Sequence, residues 1–109
     1  MATSYKVLGQ ATPTAEAITA LYTVPASTEA VISTINICNL GTAPSVFRIA
    51  IRPNGEGLLN KHYIIYDNTI VPQETITLTL GVTMDATDVF DIYSTTANVA
   101  FNLFGSEIS

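Results

Sequence analysis

Apolar and polar residues alternate with a period of two through almost the whole chain, and nothing else in the sequence constrains the fold as tightly. In "SVFRIAIRP", Phe47, Ile49 and Ile51 fall on one side and Arg48, Ala50 and Arg52 on the other. The run stops at Pro53, which has no N–H to continue a ladder. "NVAFNLF" sets Val99, Phe101 and Leu103 against Asn98, Ala100 and Asn102. "ETITLTLG" sets Ile76, Leu78 and Leu80 against Thr75, Thr77 and Thr79. Side chains of a strand point to alternate faces, so each segment reads as a strand with one face on a core.

"SYKVLGQ", "AITALYTV", "TEAVISTINICN", "KHYIIYD" and "DVFDIYS" complete a set of about eight strands, divided by Gly, Pro, Asn and Asp turn signals such as "NLGTAP". Helix signals are weak. "TPTAEAITALYTV" offers Thr12 as an N-cap and Pro13 at the first helical position, but its β-branched end and Pro25 favour a strand or a single turn. The expected fold is all-β, one domain over residues 1–109, built as an antiparallel two-sheet β-sandwich. Jelly-roll and immunoglobulin-like topologies both satisfy the periodicity. The chain has no Trp and one Cys, so the antibody-type core signature is missing. A chain of this length buries roughly 60–70% of its unfolded surface, enough for a core without disulfides.

The threonine face of "ETITLTLG" belongs to a wider pattern. Charged residues make up 12% of the chain, about half of the roughly 25% usual in soluble domains. Exposed strand positions carry Thr, Ser, Asn and Ala instead. Hydroxyls cost less to desolvate than charges when a neighbour covers them, so such faces suit contact with other subunits. The net charge of −5 argues against nucleic-acid binding and against attraction to anionic lipid, both of which need Lys and Arg. The start of the chain lacks the order of a signal peptide, and no apolar run reaches membrane-spanning length.

Catalytic motifs are missing. His62 is the only histidine, there is no Gly-x-Ser-x-Gly elbow, and a lone His at a strand start reads as a surface or turn residue. One Cys and one His do not close a zinc site, and no phosphate-binding glycine loop is present. Asp85, Asp88 and Asp91 crowd "MDATDVFD" without calcium-loop spacing, and turn formation accounts for the first two. Cys38, in "VISTINIC", is expected to be a small buried hydrophobe. The residues therefore point to a non-enzyme without metal or cofactor.

Candidate interaction residues are few. Arg48 and Arg52 hold half of the positive charge and stand about 13 Å apart on one strand face. They can pair with acids of a neighbouring strand or of a neighbouring subunit. Tyr63 and Tyr66 flank "II" in one strand, where tyrosines either pack a sheet or stack on a sugar or a protein. Phe104 falls on the polar side of the last strand, as an outward contact would.

"LYTVPASTEAVISTINICNLGTAPSVFRIAI", followed by "HYIIYDNTIVPQETITLTLGVTMDATDVFDIYSTTANVAFNLFGSEI", resembles segments of small tailed-phage virion proteins, those of cyanophages included. The shared features are a "YTVPA" opening, a strand ending in "ICN", a Gly turn and a closing "FGSEI". The resemblance implies a non-enzymatic β-sandwich of the virion and transfers no functional residues. The expectation is a capsid decoration or cement protein, bound between major capsid protein subunits on the head surface. It would be a homotrimer, assembled in the host cytoplasm without nucleic acid or membrane. A tail, baseplate or fibre component that binds a glycan or receptor is the alternative.

Overall fold

The strands are β1 (Thr3–Ala11), β2 (Thr19–Thr23), β3 (Glu29–Asn39), β4 (Ser45–Arg52), β5 (Tyr63–Ile70), β6 (Thr75–Met84), β7 (Val89–Ser94) and β8 (Val99–Ile108) in a computed structural model that describes residues 2–109. They form two four-stranded antiparallel sheets packed as a sandwich. The first sheet runs β1-β8-β3-β6 and the second β2-β7-β4-β5. Only β4 and β5 are both consecutive and paired; every other connection crosses from one sheet to the other. Short 3-10 turns at Pro53–Gly55 and Asn60–His62 interrupt the long β4–β5 connection.

The core follows the alternation. Ile32, Ile35, Ile37, Phe101 and Leu103 of the first sheet meet Phe47, Ile49, Phe90 and Ile92 of the second, all fully buried. Phe47 and Phe101 cross the sandwich edge to face, with centroids 6.3 Å apart at 72°, the geometry that aromatic quadrupoles favour. The "NLGTAP" turn is organised by buried Asn39, whose Nδ2 donates to the Ala43 and Ile70 carbonyls while its Oδ1 accepts from the Gly41 N–H. No buried side-chain nitrogen or oxygen among the described residues lacks a partner.

A line of irregularities crosses the first sheet. Registers shift between Val7 and Gly9 on β1 and between Ile32 and Thr34 on β3, and Gly81 on β6 has φ +62°. Bulges of this kind bend a sheet and re-aim side chains. Gly105 lies at the same level, where a Cβ would overlap the Val31 carbonyl oxygen. Glycine is the residue that fits there.

One polar bridge joins the sheets near an end of the sandwich. The Tyr22 hydroxyl donates to Glu107 Oε2, and Lys6 Nζ approaches Glu107 Oε1. The hydrogen bond from Lys6, and after it that from Tyr22, holds the Glu107 carboxyl below its usual range. Burial, followed by the adjacent carboxylate, pushes the Tyr22 phenol up. A carboxyl lowered in the folded state stabilises above the unfolded pKa, and the contribution disappears as pH falls through the folded value. Glu107→Gln should therefore flatten the loss of stability below about pH 4.5. Urea midpoints taken down the acid limb check this, and equal slopes for both proteins would refute it.

Candidate functional site

The outward side chains of the two sheets differ in kind. On the second sheet, register places Tyr93 of β7 beside Arg48 of β4, and Tyr66 of β5 lies on the other flank. The Arg48 guanidinium carbon is 4.3 Å from the Tyr66 ring centroid and 4.4 Å from that of Tyr93. Each such stack contributes roughly 0.5–2 kcal/mol, depending on desolvation. Asp67, in a left-handed conformation (φ 54°) beside a register shift of β5, accepts from Arg48 Nε at 2.5 Å. That hydrogen bond raises the pKa of Arg48 further. Tyr63 stands against Tyr66 at 4.9 Å and 83°. Asn60, Tyr63 and Tyr66 line an open hollow of about 430 Å3.

Arg52 shares the strand face with Arg48 but does different work. Its Nε donates to Asp91 Oδ2 at 2.6 Å and its Nη2 to Oδ1 at 3.4 Å, while Nη1 reaches the Glu56 carbonyl at 3.0 Å. Asp91 is fully buried. The β4–β5 connection is thereby held down near Asp91 and Val89, with Gly55 lying close to the Val89 side chain. His62 closes the same segment. Its Nδ1 accepts from the Leu59 N–H at 2.9 Å, which leaves the Nε2 proton to meet Glu56 Oε1 at 2.7 Å. The His62 hydrogen bond, with help from Lys61, keeps the Glu56 carboxyl below its usual range.

The outer face of the first sheet is almost uncharged. Thr75, Thr77, Thr79 and Thr83 of β6 stand beside Val31, Thr34, Asn36 and Cys38 of β3, then Asn102, Phe104 and Ser106 of β8, then Tyr5, Val7 and Gln10 of β1. Two charged residues touch this face: Glu29 lies at the start of β3, and Lys6 of β1, paired with Glu107, borders its hollow. Thr77 Oγ1 donates to Asn36 Oδ1 and Gln10 Nε2 to Asn102 Oδ1, so the amides and hydroxyls are partly paired within the face. Tyr5 is 85% and Val7 50% exposed. With Val31 and Phe104 they line a hollow of about 600 Å3.

No family model and no curated protein matches the chain.

The structure brings three of the five sequence candidates together: Arg48, Tyr63 and Tyr66 share one cluster on the second sheet. Arg52 is turned into an intrachain ion pair instead. Phe104 is half-buried on the first sheet, across the molecule. Both arginines find acids of neighbouring strands, Asp67 on β5 and Asp91 on β7.

One expectation is corrected. Cys38 is half-buried on the outer face, because alternation with buried Ile37 and Asn39 turns it away from the core. His62 lies in a turn, one of the two placements expected of it, and is buried there because the connection carrying it folds back on itself. Asp85 and Asp88 serve the turn as expected: Asp88 Oδ2 accepts from the Asp85 N–H and Oδ1 from the Asn54 N–H. No cluster of three metal-ligating groups occurs among the described residues. Sequence reading missed Asp67 and Asn60 as members of the cluster, and Tyr5, Val7 and Val31 beside Phe104. No local signal marks them, because strand pairing alone makes them neighbours.

Proposed function

We propose that this chain is a structural protein of a tailed-phage virion, a decoration or cement protein seated over junctions between major capsid protein subunits. One observation carries the reading: a whole sheet face almost free of charge on a protein of net charge −5. Four strands at about 4.8 Å spacing and about nine residues at about 3.3 Å give a face of roughly 570 Å2. Covering it on both partners removes roughly 1,100 Å2, near the lower bound for a specific contact. Its Thr, Asn and Gln side chains lose less on desolvation than Lys or Glu would, and Tyr5, Val7 and Phe104 add apolar area. Repetition over a lattice multiplies a modest contact. The resemblance of residues 21–51 and 62–108 to small virion proteins supports the same reading, as does the engagement of both His62 nitrogens within the fold. The strand order, with eight strands and one paired hairpin, supports a jelly roll over an immunoglobulin-like arrangement. Closed three-fold association is the form in which we expect the protein to occupy the head.

Co-sedimentation with capsids assembled from the major capsid protein tests the proposal. Thr34→Lys together with Thr79→Lys places two cations at facing positions in the middle of the face. The pair should weaken binding at least about a hundredfold, or about 2.7 kcal/mol, at unchanged circular dichroism. Saturable binding to isolated tails but not to heads would overturn the capsid location.

A further inference from the structure

The cluster on the second sheet faces away from the uncharged sheet and takes no part in the contact proposed above. We propose that Tyr63, Tyr66 and Asn60 form a binding site for a neutral carbohydrate, held in shape by Arg48 between Tyr66 and Tyr93.

Three observations converge on that chemistry. The first is the aromatic corner. Tyr63 and Tyr66 meet at 83° and 4.9 Å, and Tyr66 remains 57% exposed, so ring surface stays open to the C–H groups of a pyranose. Tyrosine offers that apolar surface with a hydroxyl at its tip. The second is Asn60, whose side-chain amide makes no hydrogen bond to any of the described residues and lines the hollow of about 430 Å3 with the two rings. An amide presents a donor and an acceptor, which is what a pair of neighbouring sugar hydroxyls requires. The volume lies within the roughly 300–1,000 Å3 of small-ligand sites.

The third observation is the support behind the corner. Tyr66 does not depend on solvent contacts for its position: Arg48 stacks on it at 4.3 Å and is itself backed by Tyr93 at 4.4 Å and fixed by Asp67. Fixing side chains in the free protein lowers the ordering cost of binding. Arg48 is thus a positioning residue. Asp67 balances its charge, and the molecule carries a net −5, so the site selects neutral saccharides over acidic ones.

The absence of Trp makes tyrosine emission a direct probe, because three of the five Tyr residues lie in this cluster. Titration of the isolated full chain with soluble neutral glucan, mannan and galactan oligosaccharides should give a saturable change with at least one of them. Dextran sulfate should give none. Tyr66→Ala and Asn60→Ala should each weaken binding at least about tenfold, whereas Tyr5→Ala on the opposite face should leave it unchanged. Asn60→Ala keeps the test open if the tyrosine variant folds poorly, since the Asn60 side chain makes no hydrogen bond to any of the described residues. Arg48→Lys retains the charge and removes the planar stack, so weaker binding should accompany altered ring-flip broadening of the Tyr66 NMR signals. Failure of all three neutral saccharides to saturate, full affinity in Asn60→Ala, or preference for dextran sulfate would overturn the proposal. None of these results depends on capsid binding.

Discussion

Truncating Phe101 to alanine should lower the unfolding free energy by about 3–5 kcal/mol, a large part of the about 5–15 kcal/mol that holds a domain of this kind together. Phe101 is fully buried on β8, the strand that pairs with both β1 and β3, and its ring meets Phe47 of the opposite sheet edge to face. The variant loses transfer free energy, leaves a cavity that closely packed neighbours cannot close, and removes the aromatic contact between the sheets. Phe101→Leu keeps most of the volume and should cost much less, about 1–2 kcal/mol. Urea denaturation reads both. The expected result is a lower midpoint at an unchanged slope, since the surface exposed on unfolding hardly changes. A loss below about 1 kcal/mol for the alanine variant would mean that the sandwich collapses around the missing ring, and that the two sheets are less rigidly spaced than their packing implies.

Replacing Arg52 by methionine should be nearly as damaging, at about 3 kcal/mol or more, for an electrostatic reason. Asp91 is completely buried, and its carboxylate is met by Arg52 through Nε and Nη2. Removing the cation leaves an uncompensated buried charge, which costs more than the pair contributed when intact. Methionine retains much of the apolar stem, so the measured loss reports the charge and not only packing. The Gly55 and Glu56 carbonyls lose their donor as well, so limited proteolysis should cut first between Pro53 and Lys61. Adding Asp91→Leu to Arg52→Met should restore a large share of the stability, because an apolar pair of similar volume has no desolvation penalty to offset. If the double variant were less stable than Arg52→Met, the burial-of-charge explanation would be wrong and Asp91 would matter through some other contact.

The two variants illustrate what the sequence makes legible. Phe101, Phe47 and Ile49 are found by counting in twos, since period-two alternation with turns between is a local property of the chain. The threonine face of β6 is visible in the same way, and so is the outward position of Phe104. Arg52 and Arg48 look alike by every local criterion, with the same residue type on the same strand face, yet one holds a connection in place and the other lies between two tyrosine rings. The difference comes from what β5 and β7 place beside β4. β7 lies some forty residues further along the chain, and its register with β4 pairs Arg48 with Tyr93. Cys38 shows a smaller version of the problem. Its strand alternates buried with half-buried or exposed positions, so the face on which a single residue lands is set by parity, and parity turned Cys38 to the face away from Ile37.

The placement of β8 between β1 and β3 has a kinetic consequence. Ile35 of β3 pairs with Leu103, and Thr3 of β1 with Ile108. Once β1 has left the ribosome, it therefore has no partner in its sheet until β8 has been made. Until then β3 has only β6 beside it, and the apolar faces of both sheets remain partly open to water. Closing such long loops before any contact repays them makes folding slow, in the manner of other β-sandwiches. The nascent chain is exposed to aggregation during that interval, and the order of synthesis fixes how long it lasts. A circular permutant that joins Ala2 to Ser109, already linked by two backbone hydrogen bonds, and opens the chain in the Gly55–Leu59 segment would make β8 and β1 neighbours in sequence and shorten that delay.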